Sequence, residues 1–197
     1  MLIKLLNKVK GIYIFQLDQN NYIKFCPERG GIITNWVSDG NQILYFDEKR
    51  FMDNTKSIRG GIPILFPICG KINNSSSVFG KDYLQLMQHG FARDLHWQYC
   101  FTESEKSLCL FLNESETTKK YYPFDFELRI EVTLKINCLE FTITIQNKTD
   151  IAMPLNFGLH PYFNISDLKN LDFIDYPINC QNQQKNILAN TLDELKN

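Results

Sequence analysis

The chain has 197 residues, 44% of them hydrophobic and 22% charged, which is enough apolar material for the core of one ordinary domain. Lys plus Arg number 21 against 22 for Asp plus Glu, a net charge of −1, so binding to nucleic acid or to an anionic membrane by bulk charge is excluded and any anionic ligand must be held by individual arginines. Lys4, Lys8 and Lys10 interrupt the apolar start, which rules out a signal-peptide core, and no run of about 18 apolar residues exists to span a membrane. From there the chain reads as strands. "GIYIFQL", "NYIKFC", "ITNWVS" and "QILYF" follow one another between residues 11 and 46, with "SDGN" at 38–41 as a hairpin turn. "RGGIPILFPICG", 59–70, carries two prolines and three glycines and cannot be a regular central strand. It reads as a shaped loop that carries Arg59 to a surface. "NNSSS" at 73–77 is a polar loop, and "HWQYCF" and "LCLFL" are again strand-like.

The clearest periodicity comes next. Phe126, Leu128, Ile130, Val132, Leu134 and Ile136 alternate with polar residues, and after "NC" at 137–138 the set Leu139, Phe141, Ile143 and Ile145 does the same. Period two on both sides of a short polar break predicts a long antiparallel hairpin. No sustained helical period appears before "ANTLDELKN" at the end, where Asn190 or Thr191 would cap a helical turn. The fold class is therefore all-β, an antiparallel sandwich of two sheets in one domain. Six cysteines at 26, 69, 100, 109, 138 and 180 show neither CxxC nor zinc spacing, and read as free thiols in a reducing cytoplasm.

Three stretches carry unusual chemistry. In "SIRGGIPILFPICG" Arg59 precedes two glycines; it is either an edge arginine or a guanidinium aimed at a ligand oxygen. In "QHGFARDLHW" Gln88, His89 and Arg93 lie within six residues, and Arg93 offers a planar fork for hydroxyls or phosphate. His96, beside an aromatic-rich strand, reads as structural. In "NFGLHPYFNI" Pro161 biases His160 toward extended backbone, with Leu159, Tyr162 and Phe163 placed to wall in its ring. An imidazole so placed is either a buried structural residue or a general acid or base working near neutrality.

Together, Arg before Gly-Gly-Ile-Pro, then "QHGFAR", then "LHPYF", on an all-β chain, resemble the galactose mutarotase-like superfamily of aldose 1-epimerases, and within it the hexose-6-phosphate 1-epimerase type. The resemblance runs from about residue 10 to the end. It implies a large β-sandwich with a sugar groove on one sheet. It implies that Arg59, Gln88 and Arg93 bind substrate, that His89 and His160 are catalytic, and that His160 is the general acid of ring opening. No metal or redox cofactor is implied. A small-molecule sugar or sugar phosphate is the expected partner, and two arginines suit a phosphate. The resemblance also implies a glutamate base in a later strand. Past His160 the chain holds one glutamate, Glu194, and no such motif. The sequence thus reads as a single domain over 1–197 that lacks the family's C-terminal strands, with self-association through unpaired strand edges. A non-catalytic carbohydrate-binding sandwich or an inactive fragment is the competing expectation.

Overall fold

Alternation of apolar and polar side chains is realised as strand after strand. The computed structural model describes residues 2–7, 11–72, 86–102 and 107–165, nearly all of them in the unit Met1–Asn164. Five strands form a first antiparallel sheet in chain order: β1 (Leu2–Asn7), β2 (Ile12–Gln16), β3 (Tyr22–Cys26), β4 (Ile32–Ser38) and β5 (Asn41–Gln42). The turn into β5 is Asp39–Gly40, both at positive φ, pairing Ser38 with Asn41 as an Asp-Gly hairpin should. Strand β1 lies in the lysine-interrupted start, where the sequence gives no alternation to announce it. "QILYF" supplies less strand than its composition promises: β5 ends at Gln42, and Leu44 and Phe46 make isolated bridges to Phe163 and Gly60.

The second sheet has the order β10-β9-β8-β7, from β7 (Gln98–Thr102), β8 (Ser107–Asn113), β9 (Phe126–Lys135) and β10 (Cys138–Asn147). Phe126, Leu128, Ile130, Val132 and Leu134 of β9 are all buried, together with Leu108, Leu110 and Leu112 of β8. They share one core with Phe15, Ile23, Phe25 and Ile33 of the first sheet, so two sheets packed face to face form the sandwich. Trp97 is fully buried in the same core, its indole N–H donating to the Ala92 carbonyl at 2.8 Å.

The β9–β10 hairpin turns one residue earlier than the "NC" reading. Ile136 and Asn137 form the turn, Cys138 pairs Lys135, and Asn137 takes the positive φ that asparagine tolerates. Ser38 clamps this turn: its Oγ accepts from the Asn137 N–H at 2.9 Å and donates to Asn137 Oδ1 at 2.8 Å. Ile136 therefore leaves the buried set and is 62% exposed.

Among the described residues two single-turn α-helices escape the periodicity argument, because four residues show no period. α1 (Glu48–Phe51) is capped by Asp47 and α2 (Glu116–Lys119) by a Ser115–Thr118 capping box. The expected polar loop at 73–77 and the helical turn at 189–197 lie outside the described residues. Among the described residues no helix is long and apolar enough to cross a membrane.

Candidate active site

The proline-rich stretch is the rail on which the site is built. Within it β6 (Ile64–Leu65) pairs antiparallel with β11 (Gly158–Leu159), and together they form a third, two-stranded sheet. The same register continues beyond both strands: Asn156 N–H donates to the Pro67 carbonyl at 2.8 Å, His160 N–H to Pro63 at 3.0 Å and Tyr162 N–H to Gly61 at 2.9 Å. Pro63 and Pro67 accept but have no N–H to return, so the ladder is one-sided at each and the regular strand shrinks to two residues.

The "QHGFAR" stretch lies on the other flank of this rail. The Phe66 carbonyl accepts from the Phe91 N–H at 3.0 Å and the Ala92 N–H at 3.2 Å, beside a parallel bridge between Phe66 and Gly90. Gly90 sits at φ +72°, and a Cβ there would lie 2.1 Å from the Phe66 oxygen, so the close approach of the two segments requires glycine. The loop before β4 holds the far end: Gly30 N–H donates to the Leu95 carbonyl and Trp97 N–H to the Pro27 carbonyl.

These three segments line one cleft of about 210 Å³, walled by Ser57, Ile58, Arg59, Pro63, Leu65, Gln88, His89, Arg93, His160 and Tyr162. All five residues singled out from the sequence, Arg59, Gln88, His89, Arg93 and His160, border it, although 101 positions separate the first from the last. His96 is exposed and lies outside it. The pairing of 158–162 with 61–65 explains the gathering, since residues 160 and 162 fall on one face of an extended segment. Leu159 and Phe163 fall on the other face. Leu159 packs on the core and Phe163 pairs with Leu44, so of the three expected walls of the His160 ring Tyr162 alone is in place.

Both histidines line the cleft, their ring centroids 6.4 Å apart and their planes at 75°. Their settings differ. His89 has φ +71°; its N–H donates to the Gly70 carbonyl at 2.7 Å and its Nδ1 accepts from the Gly70 N–H at 3.0 Å. Nδ1 is thus occupied as an acceptor, and the neutral ring carries its proton on Nε2. Burial, then the Arg93 charge, then His160, push the His89 pKa below its ordinary value. His89 is built as a neutral donor. His160 is exposed, and its ring stacks on Tyr162 at 4.8 Å and 26°. The Gly70 partner of His89 has no sequence signal, since it is a backbone group 19 residues away.

The two arginines also differ. The Arg93 guanidinium donates to the Gln88 carbonyl at 2.8 Å and brings its Nε within 3.5 Å of the Asp94 carboxylate. Arg59 is exposed, and among the described residues no acid pairs with it. No carboxylate is among the described cleft residues, and no cluster of three or more metal-ligating side chains occurs among the described residues.

Comparison with known proteins gives this geometry a context. The sequence pattern of aldose 1-epimerases matches residues 13–196. A protein of Cenchrus ciliaris named "Putative glucose-6-phosphate 1-epimerase" is 30% identical over 173 residues, 79% of this chain and 49% of that protein. Among solved structures, the Slr1438 protein of Synechocystis superposes with a TM-score of 0.72 at 41% identity, over 77% of this chain and 54% of the other. A galactose mutarotase related enzyme of Lactobacillus acidophilus superposes with a TM-score of 0.64 at 27% identity, over 81% and 51%. The chain spans about half the length of the relatives it matches.

Proposed function

Because the chain belongs to the aldose 1-epimerase family, we propose that its cleft binds a hexose-6-phosphate and serves the interconversion of its α and β anomers. The observation that carries this reading is the convergence of two histidines and two arginines on one cleft. Anomer exchange opens the pyranose ring, lets the aldehyde carbon rotate and closes it. A proton must reach the ring oxygen while another leaves the anomeric hydroxyl. His160, exposed in the cleft with both ring nitrogens free of hydrogen bonds from described residues, is the general acid for the ring oxygen. His89, neutral with its proton on Nε2, donates a hydrogen bond to a substrate oxygen and takes no proton itself.

Arg59 takes the phosphate. Arg93 already spends one N–H on Gln88 and faces Asp94, so its remaining donors suit sugar hydroxyls, alongside the Gln88 amide. The chemistry is proton transfer throughout and asks for no cofactor.

A second reading has an observation of its own. Without a carboxylate among the described cleft residues, the proton of the anomeric hydroxyl has no acceptor there, which favours a carbohydrate-binding sandwich without turnover. Exchange NMR on equilibrated glucose-6-phosphate separates the two. Acceleration of α/β exchange above buffer, lost in His160→Asn, supports the epimerase. Saturable binding without acceleration supports the binding module, and absence of both removes the sugar reading altogether.

A further inference from the structure

We propose that Tyr162 is the positioning residue of the cleft, holding the His160 imidazole by ring stacking at the angle from which it delivers a proton. The proposal rests on the reading of His160 as general acid, and one arm of its test does not.

The two histidines are held in contrasting ways. His89 is locked by a hydrogen bond into its Nδ1 from a backbone N–H. Among the described residues nothing donates to or accepts from the His160 ring. Its contacts there are the Tyr162 ring, near-parallel at 4.8 Å, and the His89 ring at 6.4 Å. An exposed imidazole with two free torsions samples several rotamers, and freezing it has an entropic cost that some contact must offset. A stacked aromatic neighbour is such a contact.

The stack works only if Tyr162 itself stays put, and its backbone is unusually well fixed. Tyr162 N–H donates to the Gly61 carbonyl at 2.9 Å, Gly61 N–H donates to the Tyr45 carbonyl at 2.8 Å, and Tyr45 N–H donates back to the Tyr162 carbonyl at 2.9 Å. Three chain segments thereby close a ring of hydrogen bonds around Tyr162. Pro161 fixes φ between the two aromatics, and the His160 N–H is tied to Pro63. The tyrosine ring is a rigid wall, and the imidazole is the part that leans on it. The role uses the ring face and not the hydroxyl, so phenylalanine should serve.

The experiment uses the full chain with Tyr162→Phe and Tyr162→Leu. With three histidines in the sequence, the imidazole signals in a proton–carbon NMR spectrum are assigned by single His→Asn variants. His160 ring protons should be shielded by the tyrosine ring current in wild type and in Tyr162→Phe. In Tyr162→Leu they should move toward the position of the exposed His96. In glucose-6-phosphate exchange, Tyr162→Leu should lower kcat about 100-fold, the scale of a misplaced catalytic group, with KM little changed, while Tyr162→Phe keeps wild-type kcat. Unchanged His160 shifts in Tyr162→Leu, or shifts lost in Tyr162→Phe, would overturn the stacking. A Tyr162→Leu chain with full kcat would overturn the positioning role. If wild type gives no exchange, the epimerase reading fails on its own and the NMR arm still decides the stack. A Leu variant that does not fold is replaced by Tyr162→Met, which keeps bulk without a ring.

Discussion

At the residue scale, the cleft pairs chemically similar groups and gives each member a different setting. His89 illustrates the cost of such a setting. Its pKa lies below the ordinary histidine value, so in acid the unfolded chain takes up a proton that the folded chain refuses. Stability should therefore be unaffected by this group at pH 8 and should fall as pH drops below about 6.5, until the folded pKa is passed. Urea unfolding at successive pH values should show this loss, and His89→Asn, which tolerates the same positive φ, should remove part of it. A variant with the same pH slope as wild type would mean that His89 is not held neutral. For the arginines the expectation is equally concrete. Arg59→Ala should weaken glucose-6-phosphate by about 1.5–3 kcal/mol, the scale of charge-assisted hydrogen bonds, and plain glucose far less. Arg93→Ala should weaken both sugars to a similar degree, and calorimetric titration of the four combinations distinguishes these patterns.

At the scale of elements, the same alternating pattern has two energetic meanings. β9 lies between β8 and β10 in its sheet, and its Ile130 is fully buried. Ile130→Ala should cost about 3 kcal/mol in chemical denaturation. Ile143 on β10, its direct partner, is 36% exposed, and Ile143→Ala should cost under about 1 kcal/mol. Glycines separate in the same way. Gly40 sits at φ +77° with open space around its missing Cβ, so Gly40→Ala should cost about 1 kcal/mol for the left-handed backbone alone. Gly90→Ala adds a collision with the Phe66 carbonyl and should cost about 2–4 kcal/mol while pushing His89 and Arg93 out of register with the rail.

At the scale of the whole molecule, β10 presents a ten-residue edge among the described residues, without proline or bulge, and with Leu139, Phe141 and Ile145 only half covered. Long regular edges of this kind recruit further strands. Sedimentation should show concentration-dependent association, and Ile143→Lys, which sets a charge on the apolar side of that edge, should shift the population toward monomer. Association unchanged by Ile143→Lys would assign it to another surface. The thiols belong to this scale too: burial pushes Cys26 up to about 11, so it resists oxidation. Thiol titration of the denatured chain without reductant should count all six cysteines of the sequence.

The architecture is written in the residues themselves, and the membership of the cleft is expected from the likeness of three motifs to a known family. Strict alternation over 126–134 can be satisfied in one way, with one face of a strand buried, and two prolines in "IPILFP" forbid a full ladder whatever the surroundings. Glycines and prolines mark special backbone around Arg59, Gln88, His89, Arg93 and His160, and the likeness of those stretches to one family is what assigns them to a common site. Their individual settings come from the folded chain. That His89 accepts at Nδ1 follows from the Gly70 amide, 19 residues away, and that Arg93 is engaged follows from where the nearby Asp94 carboxylate and Gln88 carbonyl come to lie. The turn at Ile136–Asn137 is settled by Ser38, 99 residues away in sequence. A side chain's protonation and pairing depend on the few groups within hydrogen-bond reach. Sequence periodicity places a residue on a face, and the folded chain chooses those groups.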